Sequence, residues 1–273
     1  MGVLVTILKK WGVVIGSWKM VGITLLLFLL MGGGVAIIFF SSYYHWGKVG
    51  EWGGFGLFLL GEFLLLTFNS WIGHLSAISS GEREFEVNYL ESPFFSFLRR
   101  VPNSLGVGLG TFITLFIWGG IYYLFRKVSE LTPLRWEWIG LGLLIGGEIF
   151  FYLFLSKLGR AFKGTGFKEG ILEIVSIFWD FKTLWKGLNL TYFFTFLITT
   201  IFIFFIVVIT KIALNLWLGI NQTLALNGYR SLPIFLSGLE GVVLITLLFQ
   251  LLLTPLITLA GVEACRSTKG ERG

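Results

Sequence analysis

The sequence predicts an all-α fold, a polytopic membrane helix bundle, and three observations carry that prediction. The mean hydropathy is +0.85, hydrophobic residues make up 55% of the 273, and charged residues only 13%. Apolar runs long enough to cross a hydrocarbon core of about 30 Å recur through the whole length. The 29 Phe and 11 Trp suit lipid-facing and interfacial positions, and the 36 Gly suit close helix packing. A soluble domain of this size would need far more charge to cover its surface.

Six transmembrane helices are expected, at roughly 20–40, 53–73, 104–125, 138–158, 190–212 and 238–260, in a single integral membrane domain over 1–273. Lys9, Lys10 and Lys19 before the first apolar run imitate a signal peptide. That run continues to Phe40 without a small-x-small cleavage site, so it reads as a retained span. The stretch before it, LVTILKKWGVVIGSWKM, is too charged for membrane core and suits a helix lying in the interface. SPFFSFLRRVPNSLG precedes the third span in the same way, and KEGILEIVSIFWDFKTLWKGLN the fifth.

These three interfacial helices, each followed by two spans, suggest a threefold internal repeat over 1–80, 81–166 and 167–273. A second pattern points the same way. Glu62, Glu148 and Gln250 each lie eleven residues before a glycine: Gly73, Gly159 and Gly261. Eleven residues is about three helical turns, or roughly half a bilayer, so the polar group falls near the midplane each time.

Orientation follows from the basic residues. Of the 21 Lys and Arg, six (Lys48, Arg126, Lys127, Arg135, Lys211 and Arg230) fall on one side of a six-span bundle and fifteen on the other. The excess places both termini and all three interfacial helices in the cytoplasm of a prokaryotic inner membrane. Lys9, Lys10, Lys19, Arg99, Arg100, Lys168, Lys182 and Lys186 are the expected membrane-surface contacts, meeting anionic lipid headgroups. The net charge of +6 is scattered between apolar spans, so it argues for a membrane surface and against nucleic acid.

Glu62, Glu148 and Gln250 are the candidate midplane site. A carboxyl at mid-bilayer costs about 2.5–3.5 kcal/mol on insertion scales, so it faces the bundle interior or a path for ions. Two readings stand: protonatable or substrate-contacting groups, or hydrogen-bonding locks between helices. The glycine runs at Gly32–Gly34, 106–110 and 140–147 read as close helix contacts or, at Gly32–Gly34, as a broken helix. GEREFEVNYLESP at 81–93 reads as a solvated acidic loop.

Little else in the chain carries chemistry. Cys265 is the single cysteine, which excludes an internal disulfide. His45 and His74 flank the second span about 43 Å apart along a helix, too far to share a metal through it. There is no HExxH motif and no phosphate loop, and no cofactor or metal is expected.

The opening ILKKWGVVIGSWKMVGITLLLFLL, a basic Trp-containing helix running into a span, carries a resemblance. So does GHLSAISSGEREFEVNYLESPFFSFLRRVPNSLGVGLG, a small-residue turn, a polar patch and an amphipathic approach. Together they resemble six-span bacterial and archaeal membrane families of unknown function. They are also similar to the membrane domain joined to some glycerophosphodiester phosphodiesterases. The resemblance implies a six-span fold and transfers no catalytic residue. The phosphodiesterase metal ligands have no counterpart in these 273 residues.

The function expected from the sequence is that of a non-enzymatic, multi-pass component of a membrane complex, structural or modulatory. Its partner is another membrane protein or a second copy of this chain. The alternative is a transporter or lipid-handling protein built around Glu62, Glu148 and Gln250.

Overall fold

The computed structural model describes residues 2–44, 47–130, 157–180 and 250–263, with single helical positions at 146, 150, 153, 154, 208, 212, 216 and 219. Everything regular among them is helical. The chain divides into two compact units. One comprises 1–11, 66–196 and 257–273, and the other 12–65 and 197–256.

Helix α1 runs over Gly2–Ile15 and α2 over Trp18–Leu27. Ser17 makes the break between them. Its Oγ donates to Val14 O at 2.7 Å and accepts from Met20 N at 3.2 Å, so one hydroxyl closes one helix and caps the next. After α2 the chain takes one π-helical stretch, Phe28–Gly32, and continues as α3 over Gly33–Tyr44. Gly32 ends the widened stretch and Gly33 and Gly34 begin α3, so the chain stays helical through the glycine run.

Helix α4, Lys48–Ile78, has 31 residues and is about 46 Å long. It starts after Gly47, whose φ of 76° lies in the left-handed region that favours glycine. Gly34 of α3 and Gly54 of α4 meet backbone to backbone. A Cβ on either would lie 2.5 Å from the other's carbonyl oxygen.

Residues 81–93 correct the expectation of a solvated loop. They form α5, Glu82–Glu91. Phe85 and Tyr89 are one turn apart and fully buried, giving an otherwise charged segment a single apolar stripe. That stripe packs on an aromatic cluster. Trp71 lies 5.3 Å from Tyr89 between ring centroids, and Phe68 meets Phe97 edge-on at 5.9 Å. A 3-10 stretch, Phe94–Arg100, leads into α6, Val101–Glu130, with Pro102 in the first turn where it is tolerated.

Three helical stretches long and apolar enough to cross a membrane occur among the described residues: Trp18–Ile38, Lys48–Ile78 and Phe94–Lys127. They coincide with the first three expected spans. The fourth and fifth, and the first part of the sixth, fall almost entirely outside the described residues, as does Glu148.

Helix α7, Phe167–Val175, packs on α6 through glycine. A Cβ on Gly106 would run into Phe167 O, and one on Gly110 would lie 3.0 Å from Ile174 Cβ. Gly170 approaches Asn103 O from the other side, at 2.8 Å for the same test atom. Val107, Ala161, Phe162 and Ile174 form the buried cluster between them. Ile174, expected on a lipid-facing surface, is thus spent on α6, whereas Leu172 and Trp179 stay exposed.

The last described element is α8, Gln250–Glu263. Gly261 meets Gly159 backbone to backbone, while Gly73 of α4 abuts Phe162 and Thr258. The three glycines of the sequence pattern thus lie at neighbouring close contacts within one unit.

Adding a methyl at a filled glycine should therefore cost stability, and at an open one should not. Gly106→Ala is expected to destabilise by about 1–3 kcal/mol. Gly119→Ala on the same helix, with open space around it, should be neutral or stabilising by up to about 1 kcal/mol. Thermal unfolding in detergent, followed by tryptophan fluorescence, compares them. Equal melting temperatures would contradict the α6–α7 packing.

Candidate functional site

Among the described residues, the unit that contains 12–65 and 197–256 brings two of the candidate midplane residues together. Glu62 lies near the middle of α4, and Gln250 is the first described residue of α8. Gln250 Nε2 donates to both carboxylate oxygens of Glu62, at 2.8 and 3.0 Å. Two residues 188 apart in sequence, matched only by their spacing to a glycine, are brought together. Beside them, Gly61 faces Met31 of the π-helical stretch so closely that a Cβ on Gly61 would overlap the Met31 side chain. A wider turn in one helix and a missing side chain in the other let the helices approach here.

The other unit carries buried charge. Lys10 of α1 is 1% exposed, and its Nζ lies 2.5 Å from Glu263 Oε1 at the end of α8. The same ammonium donates to Ser76 Oγ of α4 at 3.2 Å, and Ser76 donates to Glu263 Oε1 at 2.9 Å. Phe85 of α5 offers its ring face, with the centroid 5.2 Å from Nζ. Four helices thus meet on one ion pair. At its rim Lys9 pairs with Glu82 at 2.9 Å, and Thr6 donates to the same carboxylate at 3.3 Å. The Lys9 contact, aided by Thr6 and by the charge of Lys10, holds the Glu82 carboxyl below its ordinary value.

A third group of contacts fastens the helical residues 157–161. Carbonyls at and just beyond their C-terminal end are met by side chains at the junction of the 3-10 stretch and α6. Arg100 Nη2 donates to Phe162 O at 3.2 Å and to Gly164 O. Asn103 Nδ2 donates to Ala161 O at 3.0 Å, while its Oδ1 accepts from Ser70 Oγ at 2.7 Å. Lys157, fully buried, reaches Asp180 at 2.8 Å and Glu173 at 3.7 Å. Glu169 turns back to accept from Gly166 N at 3.2 Å and Thr165 N at 2.8 Å, and caps α7. Those two backbone bonds, with the charge of Arg100 beyond them, lower its pKa.

The expected surface cations therefore divide. Lys9, Arg99 and Lys168 are exposed. Lys10, Lys19 and Arg100 are buried, which corrects their assignment to headgroups. Lys10 answers Glu263, Arg100 answers carbonyls, and Lys19 places Nζ 5.9 Å from the Trp18 ring. Lys182 and Lys186 lie outside the described residues. Glu263, Ser76, Asn103 and Asp180 were not singled out from the sequence. Glu263 carried one signal, as the acidic residue at the end of the last apolar run. Its partner Lys10, 253 positions away, reads from the sequence as a headgroup contact, with nothing to tie it to Glu263.

Among the described residues no group of three His, Cys, Asp or Glu could hold a metal ion. The fold and these contacts define an all-helical membrane protein with charged and polar fastenings between helices. Comparison with known protein families, curated proteins and solved structures returns no match.

Removing one partner of the buried pair leaves the other charge unanswered. Lys10→Met is expected to cost about 3–5 kcal/mol, and Lys10→Met with Glu263→Leu to recover most of that loss. Denaturation midpoints of wild type, both single variants and the double variant measure it. A double variant as unstable as the worse single one would contradict a pairwise role.

Proposed function

We propose that this protein is a non-enzymatic multi-pass component of a membrane complex, with a structural or modulatory role. The observation that carries the reading is the Glu62–Gln250 pair. The carboxylate in the middle of α4 is engaged by an amide of another helix, the arrangement of a packing lock. The proposal includes six spans in three related pairs, with both termini on the cytoplasmic face of a prokaryotic inner membrane. The matched spacing of Glu62, Glu148 and Gln250 and the bias of Lys and Arg support these features. Exposed Arg99 and Lys168, with Lys182 and Lys186, contact anionic headgroups. The partner is another membrane protein or a second copy of the chain, docked on an apolar helix face.

One observation favours a second reading, transport or lipid handling. A π-helical stretch adjoins Gly61 and Glu62, and such stretches occur often at functional sites. In that reading Glu62, Glu148 and Gln250 form a midplane binding site.

Purification in native-lipid nanodiscs, followed by mass spectrometry of what remains bound, separates the two. The proposal expects a stoichiometric protein partner or a homo-oligomer, unaffected by Glu62→Gln, because a neutral amide keeps a hydrogen bond to Gln250. A lone protein holding one solute, lost on Glu62→Gln with Glu148→Gln, would overturn it in favour of transport.

A further inference from the structure

We propose that His74 and Arg100 form an acid-released clasp on residues 162–164, a pH-sensitive device at the end of α4. Those residues make the turn that leaves the helical residues 157–161 and leads to α7. Three successive carbonyls of the turn are met from other helices. Arg100 Nη2 donates to Phe162 O at 3.2 Å and to Gly164 O, and the His74 ring donates to Lys163 O between them. Arg100 closes the 3-10 stretch before α6, and His74 lies one turn before the end of α4. An imidazole and a guanidinium thus share one short run of backbone.

The neutral imidazole fits this arrangement and the protonated one does not. One ring nitrogen donates to Lys163 O, while Nδ1 is buried without a hydrogen-bond partner among the described residues. A neutral ring keeps a lone pair at Nδ1. A protonated ring would place an N–H there with no acceptor, and a positive charge near Arg100, whose Nε is buried in the same condition.

No carboxylate among these elements is placed to offset that charge. Glu169 of α7 acts on Arg100 but is committed to Thr165 N and Gly166 N. Glu263 of α8 is engaged by Lys10 and Ser76, and α8 meets the neighbouring Gly73 through the uncharged Thr258.

The sign follows from where the proton is accommodated. A solvated imidazole takes it near pH 6.5, to about that value. The opened turn allows this and the clasped turn opposes it, so the clasp holds above that pH and is released as the pH falls below it. Asn103 does not titrate and keeps its bond to Ala161 O at 3.0 Å, so release is confined to the turn.

Lys163→Cys, in a Cys265→Ser background, keeps the backbone carbonyl and reports on the turn. Maleimide labelling of the full chain in detergent is timed at about pH 7.5 and about pH 5.5, each rate relative to the unfolded chain at the same pH. The relative rate is expected to rise about tenfold on acidification, the factor by which one pH unit below the ordinary imidazole value favours a protonated open state. His74→Gln, whose amide donates to Lys163 O without titrating, should abolish the rise. An unchanged relative rate, or a rise that His74→Gln retains, would overturn the proposal. Should His74→Gln not fold, the onset with His74 in place decides. A rise that begins above about pH 5 supports the clasp, and one confined below it, in the carboxylate range, overturns it.

Discussion

A charge withdrawn from water has to be answered inside the protein, and among the described residues Lys10 shows how many helices that requirement can draw together. Its ammonium has almost no exposure, so leaving it unanswered would cost several kcal/mol. Glu263 answers it with the help of Ser76, and Phe85 covers it. The consequence is architectural. The first helix, the end of α4, the short α5 and the end of α8 must all come to one point. Beside the ion pair, Tyr89 packs on Trp71 and stacks with Phe85, so the apolar stripe of α5 meets the aromatic cluster. Closing a loop of this length adds little to the cost, since loop entropy grows only with the logarithm of length.

The same economy of polar groups recurs. Arg100 and Asn103 finish the helical residues 157–161 by accepting the role that further turns of helix would have played. Lys157 is buried against Asp180 and Glu173. In the other compact unit, Glu62 is met by Gln250. In each case a side chain with chemical potential for catalysis or transport is engaged by a neighbour whose loss would leave it unsatisfied. That pattern supports a structural role: the polar groups specify which helices meet, while glycines at Gly34, Gly54, Gly106 and Gly159 set how closely.

Much of this was legible in the sequence, though unevenly. Hydropathy located the three long apolar helices because a continuous apolar run longer than a bilayer has few other uses. Gly106 and Gly110 announced a close contact, but not that its partner would be the short α7. The spacing pattern singled out Glu62 and Gln250 without indicating that they touch. The acidic segment 81–93 was misread because its charge dominates its composition. Two aromatic residues one turn apart were enough to fold it onto α4. Lys10 and Arg100 were misplaced for a related reason: a basic residue beside a span reads as a headgroup contact until its partner is known. The partners here lie 253 and more than 60 residues away, and no local pattern encodes them.

On the proposed reading, the polar residue in the middle of α4 fastens helices and does not line an aqueous path. Accessibility of that position tests it most directly. Cysteine introduced at Glu62 or Gln250, in a Cys265→Ser background, would be exposed to a small membrane-impermeant maleimide in intact proteoliposomes. Neither cysteine is expected to be labelled until the bilayer is dissolved and the protein unfolded. Rapid labelling of both from the aqueous phase would contradict it and make the pair part of a water-filled site.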